Sequence, residues 1–120
     1  VSIRDGRIAA VGDRAAGPHD RTIDAGGDYV LPGLIQTHIH LCQTLFRGWA
    51  DDMPLMPWLR TRIWPLEAAH TPATIAVAAE LAATELLLSG TTAVLTMETV
   101  HDTDAVCEAV SRSGLRATIG

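Results

Sequence analysis

No lysine occurs in these 120 residues, so all nine basic side chains are arginine. They are spread along the chain among fourteen acidic residues, for a net charge of −5. Without a basic stripe, nucleic acid is not expected as a partner. Cysteine is nearly absent: Cys42 and Cys107 make no disulfide framework, and reduced thiols in the cytoplasm are the default expectation. Long apolar runs are lacking too. The most apolar region, Ile75 to Leu95, is broken by Glu80, Glu85 and Ser89-Gly90, which suits a core helix followed by a strand rather than a membrane span. The visible N-terminus has no signal peptide, and no internal repeat or low-complexity segment appears.

Val1 to Val11 has the pattern of a hairpin, with Asp5-Gly6 as its two-residue turn. Gly12 to Asp20 is a polar loop, and Arg21 to Ala25 is a short strand closed by Gly26-Gly27. Leu41 to His70 shows little periodicity and is rich in Pro, Trp and Met. Segments this long without structure of their own are usually lids or binding walls. Within it, Trp58 to Ile63 suits a short helix that Pro65 ends.

Thr71-Pro72 opens the clearest helix, with Thr71 as N-cap, Pro72 at the first position and Gly90 as left-handed stop. Thr91 to Met97 is a second strand. Asp102 or Thr103 starts a helix through Ser113 that Gly114 ends, with Val106, Ala109 and Val110 facing inward. Leu115 to Ile119 is a third strand. Strands alternating with helices at this spacing specify α/β architecture with parallel βαβ units.

The chain opens on Val1 rather than Met and stops just after a strand, so a piece of a larger protein is expected. A complete (β/α)8 barrel takes roughly 250 residues, so a chain of this length has room for only its first two or three units.

Everything centres on Val30-Leu31-Pro32-Gly33-Leu34-Ile35-Gln36-Thr37-His38-Ile39-His40. Pro32-Gly33 is a turn, and Leu34-Ile35 suits a strand buried on both faces. His38 and His40 are two apart, so in a strand both imidazoles point to one side. Side-by-side imidazoles make half a site for a zinc-type ion. Such an ion keeps an open position for water and lowers that water's pKa to give a hydroxide nucleophile.

This run resembles the first-strand signature of the metal-dependent amidohydrolase superfamily. The resemblance continues through Leu45 to Leu55, Trp58-Leu59, Ile63-Trp64-Pro65-Leu66-Glu67 and Ser89-Gly90-Thr91-Thr92. Together these are similar to the deaminase and chlorohydrolase branch, which includes the S-adenosylhomocysteine, methylthioadenosine and 5′-deoxyadenosine deaminases and the triazine hydrolases. The implied fold is the N-terminal part of a TIM (β/α)8 barrel preceded by strands of a small β-sandwich. Residues 1–31 would form the partial sandwich and residues 32–120 the first βα units.

The implied activity is hydrolysis of a C–N bond, as in a hydrolytic deaminase of an adenosine-type nucleoside. A chlorohydrolase, a guanine-type deaminase or a catalytically incomplete fragment is the alternative. The implied cofactor is one divalent metal, zinc before iron, held by His38 and His40. The remaining ligands and the proton-shuttling Glu and His are implied to lie on later barrel strands, so this chain offers no catalytic residue beyond its metal ligands. Lacking lysine, it cannot supply the carboxylated lysine that bridges two metals in some members. The intact protein is expected to be a homo-oligomer that takes a small purine nucleoside or related heterocycle, with neither membrane nor nucleic acid as partner.

Three substrate-side candidates follow. By itself Glu67 reads as an exposed acid before a helix, but the resemblance implies a carboxylate that accepts the ribose hydroxyls. Trp64, like Trp58, either stacks on a purine or packs, and packing is the commoner fate. Gln43, three residues past His40, either touches substrate or faces solvent. Glu98 and His101 follow the second strand, at the face where a barrel builds its site; they either line a pocket or sit at a loop surface, and the surface is the commoner fate. His70 is expected to be structural and Cys42 a small buried side chain. Arg47 is expected to pair with Asp51 or Asp52.

Overall fold

A computed structural model describes all of residues 1–120, which divide into two compact units, Val1–Leu31 and Pro32–Gly120. In the first, β1 (Ser2–Arg4) and β2 (Arg7–Ala10) pair antiparallel, with Arg4 opposite Arg7. Asp5 and Gly6 both take positive φ, 52° and 70°, the backbone of a type I′ turn matched to strand twist. A 3-10 turn spans Gly12–Ala15. The strand expected over Arg21 to Ala25 does not form. Asp24 instead uses its Oδ1 to accept the Gly26 amide at 2.9 Å, a local bond that competes with sheet pairing.

The second unit is a βαβαβ arrangement. β3 (Leu34–Ile39), β4 (Thr91–Thr96) and β5 (Arg116–Ile119) form a parallel sheet in that order. Gly33 enters β3 so close to β4 that a Cβ there would stand 2.2 Å from the Thr92 side chain. The expectation that Leu34 and Ile35 are buried fails, since they are 63% and 69% exposed. β3 is an edge strand, and only Ile39 at its end reaches the core. An apolar pair lies buried only where another element covers it, and none covers these two here.

Leu41–Phe46 follows β3 as a 3-10 segment. The stretch expected to be largely irregular then turns helical: α1 (Leu55–Trp58), a widened π turn (Leu59–Ile63) and α2 (Trp64–Ala68) run on without a break. Pro65 therefore does not end the run but stands where the π turn passes into α2, with one backbone donor missing there. The wide turn before it relieves the crowding its ring would cause in a regular helix.

α3 (Pro72–Leu88) is capped by reciprocal bonds between Thr71 and Thr74 and is stopped at Gly90, whose φ is +86°. α4 (Asp104–Ser113) ends at Gly114 in the left-handed region. Leu41, Ile75, Ala79, Ala82, Val106, Ala109 and Val110 form the core, where α3 and α4 pack against each other and the 3-10 segment. The alanines let these helices approach closely. No single helix is long and apolar enough to cross a membrane.

Candidate active site

In a parallel βαβ unit the carboxyl ends of the strands come together, and the chemistry-bearing residues gather at one such edge. β3 ends at Ile39 and β4 at Thr96, and their extensions run side by side. The Met97 amide donates to the Ile39 carbonyl at 3.2 Å. The His40 Nδ1 then meets the Met97 carbonyl at 2.5 Å. A carbonyl only accepts, so Nδ1 carries the proton and Nε2 keeps its lone pair.

The His38 ring lies edge-on to that of His40, with centroids 5.2 Å apart. The strand alternation thus puts both imidazoles on one side. No third His, Cys, Asp or Glu joins them in a metal-binding cluster. As a pair, with one ring fixed in its tautomer by the main chain, they fit two positions of a zinc-type ion.

Glu98 corrects the expectation of a loop surface. It is buried, and its two carboxylate oxygens accept the amides of Leu41 at 2.9 Å and Cys42 at 3.0 Å. The Thr96 hydroxyl reaches both Glu98 and, at 2.9 Å, the Ile39 carbonyl. Cys42 is buried beside this carboxylate; burial first, and then Glu98, pushes its thiol well above its ordinary range. It is inert rather than nucleophilic.

Glu67 is likewise buried rather than exposed. Its Oε1 accepts from the Gln43 side-chain amide at 2.8 Å and from the Thr99 hydroxyl at 2.5 Å. No fully buried side-chain polar atom lacks a partner, so Oε2, which takes no protein donor, keeps some contact with solvent, and Glu67 lines the adjoining cleft. That cleft, of about 240 Å³, is lined by Trp64, Glu67, Ala68, Thr99, Val100 and His101.

Trp64 is 47% exposed there, against the expectation of core packing. Gln43 spends its amide on Glu67, so it is neither free in solvent nor unengaged. It also borders, with His40, a larger groove of about 890 Å³ that runs past Arg47 and Trp58 to Glu85. The structure therefore joins His38 to His40 and Gln43 to Glu67, and sets Trp64 beside Glu67.

His70 is buried and structural in its contacts. Its Nε2 donates to the Cys42 carbonyl at 3.0 Å, its Nδ1 meets the Thr74 hydroxyl at 2.9 Å, and its ring stacks on Phe46. His101 is exposed, and its bond to Asp102, then one to the Ala68 carbonyl, raises its imidazole above the usual range. Arg47 pairs with Glu85 at 2.8 Å, not with Asp51 or Asp52. Glu85 lies on α3, which packs under the 3-10 segment carrying Arg47 at its end.

Thr96 and Thr99 are the residues that sequence reasoning missed, while Glu98 was singled out but given a surface place. The available signal was their position at, or just past, a parallel strand's carboxyl end.

Residues 29–120 match the amidohydrolase family. The chain is 50% identical over 115 residues to a 5-methylthioadenosine/S-adenosylhomocysteine deaminase of Natronomonas pharaonis, covering 96% of this chain and 26% of that protein. It is 49% identical over 102 residues to the Bacillus thuringiensis protein of the same name, covering 83% of this chain and 23% of that one. The chain thus spans about a quarter of the length of the curated relatives it matches.

Among solved structures, a Xanthomonas campestris adenosine deaminase with bound zinc superposes with a TM-score of 0.63 at 44% identity, over 72% of this chain and 19% of that one. An E. coli guanine deaminase superposes with a TM-score of 0.66 at 33% identity, over 74% of this chain and 21% of that one. With the family match extending over both histidines, the acids behind them and all three parallel strands, the chain belongs to the amidohydrolase family.

Proposed function

We propose that this chain forms the first units of an amidohydrolase barrel, with residues 1–31 contributing strands to a small β-sandwich, in an enzyme that hydrolytically deaminates an adenosine-type nucleoside. The observation that carries the reading is the imidazole pair at the end of β3, His40 held by Met97 and His38 against it. These two residues would hold one divalent ion, zinc by analogy with the zinc-bearing adenosine deaminase it resembles. When bound, such an ion supplies Lewis acidity and draws the pKa of a coordinated water towards neutrality.

The other residues bind and orient. The Glu67 oxygen that takes no protein donor accepts hydroxyls of a sugar, while Gln43 and Thr99 hold its partner oxygen still. The exposed face of Trp64 offers a stacking surface beside it. A guanine-type deaminase shares the fold, as the E. coli neighbour does, but a bare base has no vicinal hydroxyls for Glu67 to read. The 120 residues alone are proposed to be inactive, since two imidazoles leave most of a catalytic ion's coordination unfilled.

The test uses the full-length protein. His40→Ala abolishes stoichiometric zinc and ammonia release from methylthioadenosine. Glu67→Gln loses about tenfold to a hundredfold in kcat/KM on that nucleoside, the worth of a hydrogen bond to a charged group. It leaves slow turnover of 9-methyladenine unchanged. Equal losses on both compounds would remove the sugar-reading role.

A further inference from the structure

We propose that Glu98 is the positioning residue of the metal half-site: by holding the first two amides of the 3-10 segment, its carboxylate fixes the turn that aims His40. The inference rests on the reading that His38 and His40 hold the ion.

His40 occupies the N-cap position of the Leu41–Phe46 segment, with extended φ −127° and ψ 102°, and makes no side-chain cap bond. A residue in that place is usually Ser, Thr, Asp or Asn, whose oxygen satisfies the first free amides of the turn. An imidazole committed to a carbonyl on one nitrogen and to an ion on the other cannot do so. The cap comes instead from fifty-odd residues away. The Glu98 oxygens take the Leu41 amide at 2.9 Å and the Cys42 amide at 3.0 Å.

The acid is tied to the same strand end that orients the ring. Met97, its neighbour, presents the carbonyl to His40 Nδ1, and the Thr96 hydroxyl joins Glu98 to the Ile39 carbonyl. From Thr96 to Glu98, each residue therefore grips one or two consecutive residues from Ile39 to Cys42. A buried carboxylate is expensive without partners, and here each of its oxygens has one. Removing its charge leaves the Leu41 or Cys42 amide facing an NH2 group, so the turn shifts and the ring shifts with it.

Glu98→Gln in the full-length protein, competed for zinc against a chromophoric chelator, tests this. The expected result is folded protein whose zinc affinity falls tenfold to a hundredfold, the usual effect of losing an outer-shell partner (about 10–100-fold). Val106→Ala, a core truncation in α4, supplies the comparison: it lowers Tm and leaves zinc affinity unchanged. Wild-type affinity in Glu98→Gln overturns the inference. If Glu98→Gln does not fold, Glu98→Asp, which keeps the charge on a shorter arm, is read in the same way: weakened affinity supports the inference and wild-type affinity overturns it. Wild-type zinc retention in His40→Ala overturns both the half-site and the inference. Retention in the Glu98 variants alone leaves the half-site standing.

Discussion

Glu67 and Glu98 are both buried acids, but they differ in how their oxygens are used. Both oxygens of Glu98 go to protein amides, which makes it a structural clamp. Glu67 has both protein donors on a single oxygen and leaves the other without one. On the proposed reading, Thr99 acts by holding Glu67, although it also lines the cleft. Thr99→Val, nearly isosteric, is expected to raise KM for the nucleoside by about tenfold, the worth of one bond to a charged group. It should leave kcat within a factor of two, and Thr99→Ser should restore KM. A matching fall in kcat would place Thr99 at the reacting centre instead. Beforehand, a buried place for Glu67 was legible only through the family-like Trp-Pro-x-Glu run, and its partners were not. A lone Glu looks exposed, and its burial depends on Gln43 and Thr99, which lie 24 and 32 residues away in sequence.

At the scale of elements, legibility followed local chemistry. The bounds of α3 were readable because Thr71, Pro72 and Gly90 each act on their own backbone. The helical run from Leu55 to Ala68 was not, because prolines at 54, 57 and 65 argue against helix until a wide turn accommodates them. The exposure of β3 was illegible too, since apolar residues do not say what covers them. One glycine, in contrast, has a sharp role. At Gly33 an added methyl would meet the Thr92 side chain at 2.2 Å, with its Cβ at 2.8 Å. Gly33→Ala is expected to cost about 1–3 kcal/mol, the range for an overpacked site, read as a lower denaturant midpoint. Adding Thr92→Ala should recover part of the loss. An unchanged midpoint in the single variant would show that β3 and β4 separate freely there.

For the whole molecule, the core lies on one side of a sheet whose first strand is largely bare, so Pro32–Gly120 holds together through α3, α4 and the 3-10 segment. Cys42 sits inside that joint and reports on it. Cys107, exposed on α4, should alkylate readily with iodoacetamide at pH 8, while Cys42 should label only as the unit opens, as peptide mapping would show. The sign of the pH effect follows from the raised thiol. The folded state holds this proton more tightly than the unfolded chain, whose thiol has the ordinary value of 9.0. Its stabilising contribution is complete below about pH 9 and declines as pH climbs further. Fast native-state labelling of Cys42 would mean that the joint breathes.

The bond from His40 to Met97 has an evolutionary side. It ends on a peptide oxygen, while the methionine side chain is 57% exposed and plays no part in it. Position 97 can therefore drift through many residue types without disturbing which nitrogen of His40 holds its hydrogen. Proline is the exception, because the same residue's amide is engaged with Ile39. Descendants inherit that orientation through the path of the backbone, so it can persist where the letter at 97 does not.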